Sequence, residues 1–346
     1  MISPLFSHLL IPFILAIFLA MTMGGSGTGP AFSAAYGANV VRRGLIPGLF
    51  GIMVFLGAII AGKGTATTIG KEIISPDLMS FTLVSVILFS VSVTLLIANL
   101  IGVPQSTSQA TVLAVVAPAC YFRALDSHKL FIEIIPTWFL LPVISFAISF
   151  FLGRYIYRPM RRRGLTLPRA NRLNLQPVWN GLILVMSLYV AFSIGANNVA
   201  NAAGPISIMT ANELGIPLEE NFVLIMILAT LIVAPSFGIG SSLFGHKILK
   251  NTGKEIILFG KFEATIIAFV SASLLLAASL IKGIPSSLVQ LNVASILGIG
   301  VAKLGPRNIF RKTQVRKFFV VWLLAPAIAF LISFLLIVLT DRMGWL

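Results

Sequence analysis

The stretch Gly195-Ala196-Asn197-Asn198-Val199-Ala200-Asn201-Ala202-Ala203-Gly204-Pro205 (GANNVANAAGP) sets three asparagines within five positions. The residues leading into it, GLILVMSLYVAFSI from Gly181, carry no charge at all. Amides embedded in such surroundings need partners, because hydrocarbon offers no hydrogen bonds. Working outward, the surroundings prove to be the rule for the chain: 58% of the 346 residues are hydrophobic and 10% are charged. Apolar runs of roughly 20 residues, the length that crosses a bilayer as helix, are predicted at 5–36, 45–62, 79–101, 103–122, 130–152, 176–207, 222–244, 256–281, 284–302 and 318–340. The first, fourth, sixth and ninth are interrupted by glycine, proline or clustered polar residues. The runs lack the apolar/polar alternation of a membrane β-barrel, so the expected fold class is an all-α polytopic membrane protein of about ten crossings.

No lysine or arginine precedes Arg42, and the first apolar run passes into a glycine-rich segment without a clear cleavage site, so no secretory signal is predicted. Cys120 is the single cysteine, which excludes an intrachain disulfide and a cysteine-based metal site. Its thiol is expected to pack as a small hydrophobe. The net charge of +15 suggests a nucleic-acid partner until its placement is read. With the N-terminus outside and each run crossing once, 18 of the 25 basic residues fall in inner loops: at 42–43, 154–172, 247–254 and 303–317. The outer loop at 211–221 holds Glu213, Glu219 and Glu220 and no base. The positive-inside rule therefore accounts for the charge. It predicts a multi-pass protein of the cytoplasmic membrane with both termini outside, in contact with membrane lipid and without nucleic acid.

The chain also repeats itself. TWFLLPVISFAISFFLGR from Thr137 resembles VWLLAPAIAFLISFLLIVL from Val321, aligning Trp138 with Trp322 and Pro142 with Pro326. IGVPQSTSQATV from Ile101 aligns with KGIPSSLVQLNV from Lys282, which pairs Pro104 with Pro285, Ser106 with Ser287 and Gln109 with Gln290. GGSGTGPAFS from Gly24 takes the place of GANNVANAAG, and GKEII occurs at Gly70 and again at Gly253. Residues 1–153 and 176–346 are thus read as two membrane repeats of about five crossings, joined by a basic cytoplasmic linker at 154–175. An odd number of crossings per copy inverts the second relative to the first. Inverted repeats with broken helices and re-entrant hairpins are the construction of secondary transporters, with the substrate near the midplane where the breaks meet.

The interruptions supply candidate ligands. In Gly24-Gly25-Ser26-Gly27-Thr28-Gly29-Pro30, four glycines and a proline are expected to break the helix and free backbone N–H groups. An oxyanion offers such donors many acceptor oxygens, and a half-helix N-terminus adds roughly half a positive charge. Pro104 and Pro285 precede hydroxyl-rich turns, Ser106-Thr107-Ser108 and Ser286-Ser287, which can cap a helix or donate to an anion. Taken singly, small residues and serines in membrane helices more often allow close packing or bond back to their own backbone. Four interruptions in two matched pairs favour a binding site.

GANNVANAAGP, the two proline–hydroxyl turns and the two-copy layout, over about residues 20 to 340, resemble the inorganic phosphate transporter (PiT) family, most closely its CysP-type sulfate-permease branch. The resemblance implies an alternating-access carrier for a tetrahedral oxyanion, with Na+ or H+ as coupling ion, no other cofactor, and a dimer as a plausible assembly. Phosphate-type members resemble G-A-N-D-V-A-N in both copies; here Asn198 and Gly27 stand where the aspartates fall. Hydrogen phosphate has a proton for a carboxylate to accept, whereas sulfate has none and meets only repulsion. Asn197, Asn198 and Asn201 are neutral donors suited to sulfate. The substrate-binding candidates are these three with Ser26, Gly27, Thr28, Ser106, Thr107, Ser108, Ser286, Ser287, Gln109 and Gln290. In the second turn Leu288 and Val289 replace the family's threonines, and both glutamines stand where phosphate-type members often have histidine. Glu263 is the candidate for cation coupling, with an interfacial ion pair to Lys261 as the plainer reading.

Phosphate is the alternative substrate, and molybdate or thiosulfate would fit the same chemistry. A membrane-embedded hydrolase would need a nucleophile with a base or a metal constellation. His8, His128 and His246 are the only histidines, lie near span ends and lack metal-ligand spacing. A channel remains a rival, to be separated from a carrier by saturable, counterflow-capable uptake.

Overall fold

A computed structural model describes residues 4–101, 105–159, 176–252 and 260–346, without side chains at 4–8, 176, 247–252 and 314. Pro104, most of the basic linker and the second GKEII lie outside the described residues. The described chain is nearly all helix, as it must be where no water can satisfy the backbone. The first half runs through α1 (Pro4–Gly37), α2 (Ile46–Ala61), a short α3 (Lys63–Thr67) continued by a π-helical turn (Thr68–Glu72), α4 (Phe81–Ile101), α5 (Thr107–Tyr121) and α6 (Ile135–Phe151). The second runs through α7 (Gln176–Asn198), α8 (Ala200–Leu214), α9 (Leu218–Val233), α10 (Pro235–Thr252), α11 (Lys261–Ala277), α12 (Leu288–Leu304), α13 (Pro306–Phe310) and α14 (Thr313–Arg342).

Eight helical stretches among the described residues are long and apolar enough to cross a membrane. On the outward faces of α6 and α14, Phe139 and Leu323 are 71% and 77% exposed, a surface that requires hydrocarbon as its solvent. The remaining two of the ten expected crossings are short. Helices α5 and α12 have 15 and 17 residues, about 22 and 26 Å at 1.5 Å per residue, against a hydrocarbon core of about 30 Å. Each starts from a buried, extended residue, Ser106 and Ser287 respectively.

The expected break at residues 24–30 does not occur: α1 is continuous from Pro4 to Gly37. Its glycines serve packing instead. A Cβ on Gly24 would stand 2.2 Å from the Phe237 carbonyl oxygen of α10, and one on Gly240 of α10 1.8 Å from the Met21 oxygen of α1. The Ser26 and Thr28 hydroxyls return to the Met23 and Gly24 carbonyls of their own helix. Helices α2 and α7 touch in the same manner, through Gly57 against the Phe192 oxygen and Gly195 against the Val54 oxygen. The interruption at 195–205 is a single residue, Val199, between α7 and α8, and it keeps helical angles. Cys120, expected to be packed away, is exposed near the end of α5.

Contacts between the halves come in matched pairs: α1 lies along α10 and α7 along α2, while α6 lies along α12 and α14 along α5. Ser149 of α6 shares a hydrogen bond of 2.5 Å with Ser295 of α12, and Ser333 of α14 donates to the Ala114 carbonyl of α5 at 2.8 Å.

Candidate functional site

The two hydroxyl turns form matching helix starts. Ser106 (φ −80°, ψ 109°) accepts the Gln109 N–H at 3.2 Å, and Ser287 (φ −101°, ψ 107°) accepts the Gln290 N–H at 3.2 Å. These are N-caps, which serve one of the orphan donors of each first turn. The N–H groups of Thr107 and Ser108, and of Leu288 and Val289, have no acceptor within their own helices. The side chains of Gln109 and Gln290 hold the turns together: each amide donates to the other's oxygen, at 3.0 and 2.8 Å. Trp138 adds a hydrogen bond of 2.8 Å to the Pro285 carbonyl.

The three asparagines have different surroundings. Asn197 is saturated. Its Oδ1 accepts from the Ser108 hydroxyl and the Ser286 N–H, both at 3.1 Å, and its Nδ2 donates to Ser279 Oγ at 2.8 Å and to the Ile284 carbonyl at 3.2 Å. Two donor and two acceptor positions are all that an amide has. Asn197 therefore pins both turns to α7. Asn201 donates weakly to Ser108 Oγ at 3.4 Å and Met23 Sδ at 3.7 Å, and its Oδ1 is buried without a partner. The Oδ1 of Asn198 is likewise buried and unpartnered.

Asn198 faces a cavity with only about 10 Å³ open to the centre of a water-sized sphere, room for roughly one water. From the first turn Gln105 and Thr107 line it, and from the second Ser287, Leu288 and Val289. Ser26, Gly27 and Pro30 of α1 and Ile194 of α7 complete the wall. No lining residue carries a charge. The starts of α5 and α12 both reach it, so the positive ends of two helix dipoles converge there. Pro30 has no N–H, which leaves the Ser26 carbonyl without its usual helical donor.

Of the residues singled out from sequence, Ser26, Gly27, Thr107, Asn198 and Ser287 meet at this cavity. Asn197, Ser108 and Ser286 form the layer that supports it, and Ser106, Gln109 and Gln290 shape the turns. Thr28 does not line it: it packs 3.0 Å from where a Cβ on Gly245 would stand. Gln105, Leu288 and Val289 were missed. A side chain of the wrong chemistry hid the last two, because first-turn positions can contribute through backbone N–H. The position of Gln105, directly before the capping serine, was the available signal for it.

Glu263 lies apart from the cavity. Only 3% exposed, it pairs with Lys303 at 2.7 Å, and the Lys303 ammonium sits 5.0 Å from the centre of the Tyr157 ring. The expected partner Lys261 instead donates to Asn180 Oδ1 at 2.6 Å. Lysine at 303, one residue before the end of α12, outcompetes the nearer lysine because α12 brings it over the Glu263 carboxylate.

Fold and site together define a polytopic helical membrane protein built around a small, uncharged, amide-lined cavity between two helix starts. The chain belongs to the phosphate transporter family, whose sequence profile matches residues 23–177 and 168–333. It is 32% identical over 327 residues to the sulfate permease CysP of Bacillus subtilis, covering 94% of this chain and 86% of that one. It is 25% identical over 395 residues to a putative phosphate permease of Pyrococcus abyssi, covering 94% and 96%. A solved structure titled the sodium-dependent phosphate transporter has the same fold, with a TM-score of 0.78 at 22% identity over 97% of this chain and 99% of that one.

Proposed function

We propose that this protein is a secondary active transporter that imports sulfate across the cytoplasmic membrane by alternating access. The observation that carries this reading is the cavity wall: two helix starts bring first-turn N–H donors to an uncharged lining that includes the Asn198 amide, and no carboxylate is present to accept a proton or repel a dianion. The similarity to a sulfate permease over 94% of the chain supports it. Room for one water is too little for a tetrahedral oxyanion, so the two turns must part to admit one, and the two halves, 1–153 and 176–346, are read as inverted repeats that move against each other around the site. The paired contacts across the halves support that division, with 154–175 as the linker.

Cation coupling is part of the proposal. Asn201 offers a buried Oδ1 without a partner, and Pro205, four residues on, cannot donate to its carbonyl. Two oxygen acceptors on one residue suit Na+. Phosphate is the second reading, favoured by relatives described as phosphate permeases.

The test is uptake of radiolabelled sulfate and phosphate into proteoliposomes, with sodium and proton gradients imposed separately. Saturable sulfate uptake that shows counterflow and is driven by one gradient is expected. Uptake of phosphate alone overturns the substrate, and conductance proportional to the gradient overturns the carrier. Within the sulfate reading, Asn198→Asp is expected to weaken transport more than Asn198→Ala, because a carboxylate brings repulsion where alanine only removes a donor. An equal or smaller effect of the acid removes the charge argument.

A further inference from the structure

We propose that Gln105 is a specificity-determining residue that donates its side-chain amide to the transported anion, an assignment that rests on the oxyanion-carrier reading. Gln105 is 2% exposed, lines the cavity beside Thr107 and Asn198, and holds its Nε2 buried without a partner. Burying an amide donor unpaired is unfavourable unless a ligand completes it. The two other glutamines of this region show the alternative, since Gln109 and Gln290 satisfy each other completely enough to leave no orphan atom.

The second turn makes the contrast sharper. Ser286, which follows Pro285 as Gln105 follows Pro104, is spent on the protein. Its N–H goes to Asn197 Oδ1 at 3.1 Å and its hydroxyl to the Ile284 carbonyl at 3.3 Å. Only the first turn sends a long neutral donor into the cavity. It does so next to the first-turn N–H groups of α5, where an anion already has a favourable dipole. An anion without protons presents acceptor oxygens in every direction, so an added N–H serves a fully ionised tetrahedral dianion without requiring any proton from it.

The test uses the full-length protein in proteoliposomes, comparing wild type with Gln105→Leu, Gln105→Asn and Gln105→Glu for radiolabelled sulfate and phosphate between pH 5 and pH 8. Gln105→Leu is expected to raise the half-saturating sulfate concentration about ten- to a hundredfold, the worth of one hydrogen bond to a charged group, with the maximal rate within about twofold. Gln105→Asn, which keeps a shorter amide, should fall between. Gln105→Glu is expected to be poor at pH 8 and to recover as pH falls. Burial raises a carboxyl's pKa, no cavity-lining residue is titratable, and below that pKa the neutral acid offers an O–H donor. A purely structural role would lower protein yield or maximal rate without this pH dependence. As a readout independent of transport, sulfate should raise the thermal midpoint of purified wild type and not that of Gln105→Leu.

The assignment is overturned if Gln105→Leu leaves both the half-saturating concentration and the sulfate-dependent midpoint unchanged while wild type carries sulfate. It is equally overturned if Gln105→Glu follows the wild-type pH profile. Wild type that carries only phosphate overturns the sulfate reading alone, and the same variants with phosphate then decide Gln105. Wild type that carries neither anion overturns both.

Discussion

Alanine at Gly195 is expected to leave little assembled protein in the membrane, whereas alanine at Gly181 on the same helix is tolerated. The added Cβ at 195 would lie 2.0 Å from the Val54 carbonyl oxygen and 2.7 Å from its carbon. Both atoms belong to the backbone of α2, so no rotamer change relieves the clash. The reciprocal approach of Gly57 to the Phe192 oxygen, 1.9 Å from a Cβ built there, ties the same two helices a little further along. Forcing α2 and α7 apart therefore loses a whole interface and displaces Asn197 and Asn198, two and three residues beyond Gly195. Overpacking in a yielding core costs about 1–3 kcal/mol; a clash with fixed backbone should exceed that range. At Gly181, which is exposed, nothing lies within 4 Å. The comparison is read from the yield of monodisperse protein in detergent and its thermal midpoint. Equal values for the two variants would show that the close approach of α2 and α7 is not required.

Asn197→Ala is expected to lower uptake at least about a hundredfold and to lower the thermal midpoint as well. The substitution strands the Ser286 N–H, takes the acceptor from the Ser108 hydroxyl, and leaves Ser279 Oγ and the Ile284 carbonyl with only their bonds to Leu275 and Ser286. Each buried orphan costs about 1–3 kcal/mol, so the two turns lose their common anchor. Asn197→Asp should not rescue it, although the shape is kept: the acid retains the acceptor side but sets an oxygen against the Ile284 carbonyl where a donor stood. Asn198→Ala is the informative partner, because Asn198 Oδ1 holds no other part of the protein. It should reduce uptake while leaving the midpoint close to wild type. A wild-type midpoint for Asn197→Ala refutes the anchoring role.

These two residues show where sequence reading stops. Asn197 and Asn198 are adjacent and chemically identical, and the sequence marks both as candidate ligands. Which amide is consumed by the protein and which is left open depends on the direction each leaves α7, about 100° apart on a helix, and on the two turns that arrive from far along the chain. The glycines at 24–29 mislead for a related reason. Glycine weakens a helix in isolation, yet here α10 covers α1 so closely that glycine is the residue the contact demands. Glu263 was legible as a carboxylate at the start of an apolar run in need of a partner, but its burial and its partner Lys303, 40 residues away, were not.

Composition and periodicity by themselves determined that this chain lives in a membrane as helices, because hydrocarbon tolerates no unsatisfied backbone. The matched motifs Pro104–Gln109 and Pro285–Gln290 determined that two similar turns exist. Tertiary structure alone decided that these turns face each other through Gln109 and Gln290, that Asn197 locks them to α7, and that Gln105 and Asn198 remain open to the cavity. The physical reason is that hydrogen bonds inside a membrane are allotted by proximity among groups far apart in sequence, and residue type states only what each group is able to offer.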